Sequence, residues 1–337
     1  MASRSEQPAR SRTARLDAFQ QRHPAAGYTL AVFYKFFDDQ GNYLAALIAY
    51  YAFISLFPLL FLLATILGYV LAGDHQLQEQ VLDSAVGQLP VIGDHLKHPE
   101  RIGGGPVALT IGVLGSLYGA SGVGQAVQHA MNTTWGVPRN SRPNPFAARG
   151  RSLLLMGTVG LAVLGITVLS ILGGYANAFG INGPGLGTLV FVGTAALYTA
   201  TFIVAFRLAC ARPVTVRDAA PGAVVAGVAL QLLQMFGATL VGRVVTRASA
   251  INGVFAVVLG LIAFLYLASI AIVFCVESNV VRVDKLHPRA LLTPFTDDVD
   301  LTAADRRAYS RQARAQRSKG FEQVDVSFHP EDDERSS

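Results

Sequence analysis

Residues Ser152–Phe206 read SLLLMGTVGLAVLGITVLSILGGYANAFGINGPGLGTLVFVGTAALYTATFIVAF, and none of these 55 residues is Asp, Glu, Lys or Arg. A membrane-crossing helix needs roughly 20 mostly apolar residues. The window therefore holds two spans joined by a hairpin around Ala176–Pro184. Outward from it, Gln40–Gly73, Ile102–Pro138, Ala219–Gly242 and Ala248–Val276 are also free of charge. Each is long enough for one span. The predicted fold is an all-α, polytopic membrane protein with six transmembrane helices near Leu44–Leu71, Pro106–Ala130, Leu153–Tyr175, Gly185–Phe206, Pro221–Val241 and Gly253–Val276.

Composition agrees. Of the 337 residues 52% are hydrophobic and 15% charged, where a soluble domain carries about 25% charge. That balance argues against a soluble enzyme, a nucleic-acid-binding module and a disulfide scaffold. Cys210 and Cys275 offer neither a disulfide framework nor metal spacing. The first 28 residues are polar and Arg-containing, which argues against a cleaved signal peptide.

The net charge of +5 becomes informative when it is read by loop. Lys and Arg number 23 on one side of the predicted spans and four on the other. The positive-inside rule then predicts a cell-membrane protein with both termini cytoplasmic. An odd number of spans would break the alternation.

Three parts are expected along the chain: a flexible basic tail over 1–26, a six-span membrane domain over 27–283, and a polar, mostly disordered cytoplasmic tail over 284–337. In that tail Arg306–Arg317 is a candidate charged helix. Tyr28, Phe33, Tyr34, Phe36 and Phe37 cluster with Lys35, Asp38 and Asp39, which predicts a short interfacial helix or an extension of span one. Leu77–Leu89 has helical apolar spacing and is predicted to lie over the outer face. Pro58 removes a hydrogen bond inside span one, one turn after Ser55. In span two, Gly115 and Gly119 form a GxxxG spacing that permits close helix approach.

Ionisable groups inside a membrane are costly and become candidate functional sites. Glu277 ends span six. It reads as a structural ion pair, with Arg207, Arg212 and Arg151 on the same side, or as a gate. Tyr118, Ser121, Gln125, His129 and Asn132 recur at steps of three and four, so they share one face of span two. Gln231 and Gln234 of span five are again three apart. Together these suggest a polar groove or vestibule open to the cytoplasm. His129 could titrate near neutrality or serve as a packing residue. Trp135, the only Trp, fits an interfacial anchor. Hydrolase, Walker A and metal motifs are missing, so no catalytic residue, metal or cofactor is predicted.

The chain resembles the YihY / virulence factor BrkB family of bacterial inner-membrane proteins over roughly residues 27–283. Ala49–Leu59, with Tyr50, Tyr51, Ser55 and Pro58, is similar to the family's AYYxxxSxxP pattern. Asn132 and Trp135 match its helix-ending Asn-x-x-Trp. Pro221-Gly222 matches the start of span five. Phe264-Leu265-Tyr266, followed by Cys275-Val276-Glu277-Ser278-Asn279, resembles Trp-x-Tyr and Gly-Ala-Glu-x-Asn. Phe264 and Cys275-Val276 depart from the pattern, which weakens the case for very close packing around Glu277. The resemblance implies six spans with both termini inside. Some members carry a ribonuclease label, for which this sequence has no nuclease constellation. Others are linked to export of lipidic envelope precursors and to serum resistance.

The resulting expectation is an inner-membrane protein, not an enzyme, that translocates a lipid or other amphiphilic envelope component. The alternatives are a non-transporting membrane scaffold for envelope assembly and a small-solute channel. Membrane lipids, an amphiphile substrate and a homo-oligomer are the expected partners, with no nucleic acid.

Overall fold

The computed structural model describes residues 17–70, 106–178, 184–245 and 250–328, apart from 292, 294, 297 and 298. The predicted Leu77–Leu89 helix and residues 1–16 of the basic tail lie outside the described residues. Among the described residues eight helices carry the fold: α1 Pro24–Asp38, α2 Gly41–Val70, α3 Pro106–Thr134, α4 Pro145–Ala178, α5 Pro184–Ala209, α6 Val216–Val245, α7 Ala250–Val283 and α8 Ala303–Ala315. No strand occurs among the described residues.

The six long helices α2–α7 fall on the five charge-free stretches, α4 and α5 sharing the 55-residue one. Among the described residues, four segments are long and apolar enough to cross a membrane: Pro145–Leu172, Gly187–Ala209, Val216–Gly237 and Val258–Val283. Large apolar side chains such as Leu161, Leu189, Val192, Phe236 and Leu259 face outward. In water such a surface would be costly, whereas hydrocarbon covers it without penalty. The chain is an integral membrane protein on these grounds.

α1 is a helix separate from α2 and not an extension of it. Gln40 adopts a left-handed φ of 55° directly after it, ending α1 before α2 starts. Phe36 of α1 stacks on Phe274 of α7 with ring centroids 4.0 Å apart. Tyr28 Oη donates to the Ser278 carbonyl at 2.7 Å.

Small residues set the helix spacing. A Cβ on Gly119 would lie 2.7 Å from Ser55 Cα, and one on Gly115 3.0 Å from Pro58 Cβ. Gly122 packs the same way on Tyr51. The GxxxG face of α3 thus meets the Tyr51–Ser55–Pro58 face of α2. Ser55 Oγ donates to the Ala52 carbonyl at 3.0 Å.

The largest buried cluster lies at one end of the bundle, where Val32 of α1, Trp135, Leu155 of α4, Phe206 of α5, Ala223 of α6, Val280 of α7 and Ala308 of α8 converge. The polar segment after Val283, expected to be mainly disordered, folds back over this end across its described residues. Thr302 and Asp305 form a reciprocal capping box at the start of α8. The Arg289 guanidinium is 0% exposed. It bridges Asp38 of α1 and Asp305 of α8, the latter at 2.7 Å. Charges in this segment are consumed by packing, which composition alone does not reveal.

Pro221 sits inside α6 and cannot bond the Arg217 carbonyl four residues back. Arg282 Nη2 fills that vacancy at 2.9 Å and also reaches the Asp218 carbonyl at 3.0 Å. One residue on, Gly222 N–H donates to Asn279 Oδ1 at 2.9 Å, and Asn279 Nδ2 donates to the Ala219 carbonyl at 3.0 Å. Gly222 also presses against the Cys275 carbonyl. Close packing is therefore kept here despite the departures at Cys275-Val276. Both residues are buried, and glycine on the facing helix supplies the close approach.

Candidate functional site

The polar stripe of α3 divides. Tyr118, Ser121, Gln125 and His129 line one groove of about 820 Å³ on the side of the bundle. Leu47 and Tyr51 of α2 form one wall, Arg149 and Leu153 of α4 the other. Tyr118 is 76% exposed, and Gln125 Nε2 donates back to Ser121 Oγ at 3.0 Å. The floor is polar and the walls are largely apolar.

Asn132 does not join them. It is buried, and its Oδ1 accepts from the Ala211 N–H at 2.8 Å, tying α3 to the α5–α6 connection. Gln231 and Gln234 face α5 instead. Gln231 Nε2 donates to the Phe191 carbonyl at 3.3 Å, and Gln234 Oε1 accepts from Tyr198 Oη at 3.0 Å. The expected single vestibule of spans two and five is not formed. The two glutamines satisfy an α5–α6 seam.

The groove continues into a pocket of about 580 Å³, since Leu47 and His129 line both. The pocket rim carries Lys35, Asp38, Asp39, Arg139, Arg142 and Arg311. α3 ends here through Gly136, whose φ is 59°. Gly136 N–H donates to the Thr133 carbonyl and Val137 N–H to the Asn132 carbonyl at 2.9 and 2.8 Å, the hydrogen-bond pair of a Schellman cap. The sharp exit returns the chain past its own helix, so that Arg142 Nη1 lies 3.3 Å from His129 Nδ1. Arg142 also donates to the Val137 carbonyl at 3.2 Å and to Thr133 Oγ1 at 3.5 Å. Burial and the adjacent Arg139 hold the Arg142 pKa below its ordinary value.

Beneath the pocket sits the charge network around Glu277, which is 0% exposed. Its partner is Lys35 of α1, with Nζ 3.4 Å from Oε2. It is not Arg207, Arg212 or Arg151. Arg207 bonds the Val214 carbonyl, and Arg212 pairs with Asp284 at 3.2 Å. Lys35 also binds Asp39 and donates to the Thr134 carbonyl at 3.1 Å. Burial alone would lower the Lys35 pKa. The carboxylates of Asp39 and Glu277 outweigh it and raise the value.

Trp135 is 3% exposed, so it is no lipid-facing anchor. Arg212 lies over its ring at 5.2 Å, and its carbonyl accepts from Arg311 of α8. Among the other motif positions, Tyr50 is exposed beside Tyr51, and Tyr266 is half-buried. Pro58, Pro221, Gly222 and Asn279 are helix-packing residues.

In the sequence Arg139, Arg142 and Arg289 count only toward topology, Lys35 toward the short aromatic helix and Arg311 toward the charged helix Arg306–Arg317. The i,i+4 spacing of Lys35 and Asp39 was the one signal available for their pairing. No group of three or more His, Cys, Asp or Glu able to hold a metal occurs among the described residues.

A protein-family model described as Virulence factor BrkB matches residues 32–294. No curated protein and no solved structure matches the chain.

Proposed function

The chain belongs to the virulence factor BrkB family, and on that footing we propose that it is a six-span inner-membrane protein, with both termini cytoplasmic, that moves a lipid or other amphiphile between leaflets. The proposal includes no catalytic step and no nucleic-acid partner. One observation carries it: a polar-floored groove runs along the outer side of the bundle and leads into a charged pocket. A headgroup can follow the polar floor while its chains stay in hydrocarbon. A solute channel needs an axial pore, which a side groove does not provide. The scaffold alternative draws on a free charged tail, whereas the described part of that tail is folded against α1.

The test is lipid flipping in liposomes with the reconstituted full chain. Wild type is expected to accelerate flipping of labelled lipid. Tyr118→Leu and Gln125→Leu, which make the floor apolar, are expected to slow it. Equal rates in empty and protein-containing vesicles across a wide lipid panel would refute the reading.

A further inference from the structure

The pocket at the end of the α3 groove has an uncompensated charge. Its two acids are already engaged, Asp38 by Arg289 and Asp39 by Lys35. Arg139 and Arg142 have no acidic partner among the described residues, and the hydrogen-bond partners of Arg142 are all neutral or a histidine. Arg139 is exposed to the pocket. Two guanidiniums three residues apart on one turn repel each other. An oxyanion between them reverses the sign of that interaction, and the guanidinium fork matches phosphate oxygens with paired donors.

We infer that the groove takes an anionic amphiphile, its phosphate-bearing headgroup between Arg139 and Arg142 and its chain along the Leu47, Leu117 and Leu153 walls. This rests on the reading of the groove as an amphiphile path. It adds the chemical class of the ligand and the residues that select it. His129 and Leu47, shared by groove and pocket, make the two volumes one site of roughly the form of a lipid. The headgroup end is cationic, the middle carries Gln125 and Ser121, and the walls are apolar apart from Arg149. Lys35 is not the selecting group, because Asp39 and Glu277 already compensate it.

The experiment uses the full-length protein in detergent and displacement of a fluorescent phosphatidylglycerol. Unlabelled phosphatidylglycerol is expected to compete about tenfold better than phosphatidylcholine, the order of one charge-assisted hydrogen bond. The Arg139→Ala/Arg142→Ala double variant is expected to lose that preference. Arg142→Lys, which keeps the charge, retains part of it. Arg217→Ala, a cation outside the pocket, retains all of it. A monodisperse elution profile and an unchanged melting midpoint show that the variants fold. Equal competition by the two lipids in wild type overturns the inference. So does a preference that survives the double alanine change, or displacement by inorganic phosphate at the concentration at which phosphatidylglycerol acts. Flipping is measured in parallel. If the double variant still flips both lipids without a wild-type headgroup preference ever appearing, this inference fails and the translocation reading stands. If wild type shows the preference but flips nothing, translocation fails and the site stands.

Discussion

Lys35 Nζ lies 3.4 Å from Glu277 Oε2, and this contact joins helix α1 to the end of α7. Neither carboxylate oxygen of Glu277 accepts a hydrogen bond among the described residues, so the ammonium is its main compensation. Lys35→Met is expected to destabilise by about 3–5 kcal/mol, the usual consequence of stranding a buried charge. Lys35→Met with Glu277→Leu should recover part of the loss, because Asp39 still lacks its cation. Melting midpoints in detergent check both, and a single variant as stable as wild type would contradict the role.

The glycine faces predict opposite signs at two positions. Gly119→Ala places a methyl 2.7 Å from Ser55 Cα, where backbone cannot yield without moving α2. It is expected to cost about 1–3 kcal/mol. Gly160→Ala meets nothing within 4 Å and gains up to about 1 kcal/mol from helix propensity. Paired melting curves distinguish the two.

Asn279 joins α7 to α6 through two hydrogen bonds at 2.9 and 3.0 Å. Asn279→Ala is expected to cost about 1–3 kcal/mol. Asn279→Asp should cost more, because a carboxylate oxygen would then face the Ala219 carbonyl. A milder effect for Asp than for Ala would rule out this account, and the same thermal assay decides it.

Asp39 supplies a pH test. Burial raises its pKa above the ordinary 3.8, partly offset by Lys35. The folded state therefore holds this proton more tightly than the unfolded chain does. Its contribution to stability is present at low pH and is lost as pH rises through the folded value. Asp39→Asn removes that slope. Relative to wild type, the variant should gain stability as pH rises from about 4 toward neutrality. A variant midpoint that falls relative to wild type over this range would reverse the assignment.

Several features were legible in the residues themselves. Charge-free stretches place α2–α7, because lipid excludes unpaired charge and a helix satisfies its own backbone. Steps of three and four put Tyr118, Ser121, Gln125 and His129 on one face, and the groove keeps them together. Spacing along a helix defines an angle but not what the angle faces. Asn132 belongs to the same stripe, yet it lies where the α5–α6 connection crosses, and Ala211 takes it. Gln231 and Gln234 turn to α5 for the same reason.

The sequence by itself determined the helical class, the membrane-spanning character and the faces of the helices, since these depend on local periodicity and solvation. Only the tertiary structure decided that Glu277 meets Lys35, that Arg289 ties α1 to α8, and that Arg139 and Arg142 lack an acid among the described residues. Those pairings join residues distant in the chain. They follow from how helices pack at small residues such as Gly119 and Gly222, and close packing between distant segments leaves no periodic mark in any one of them.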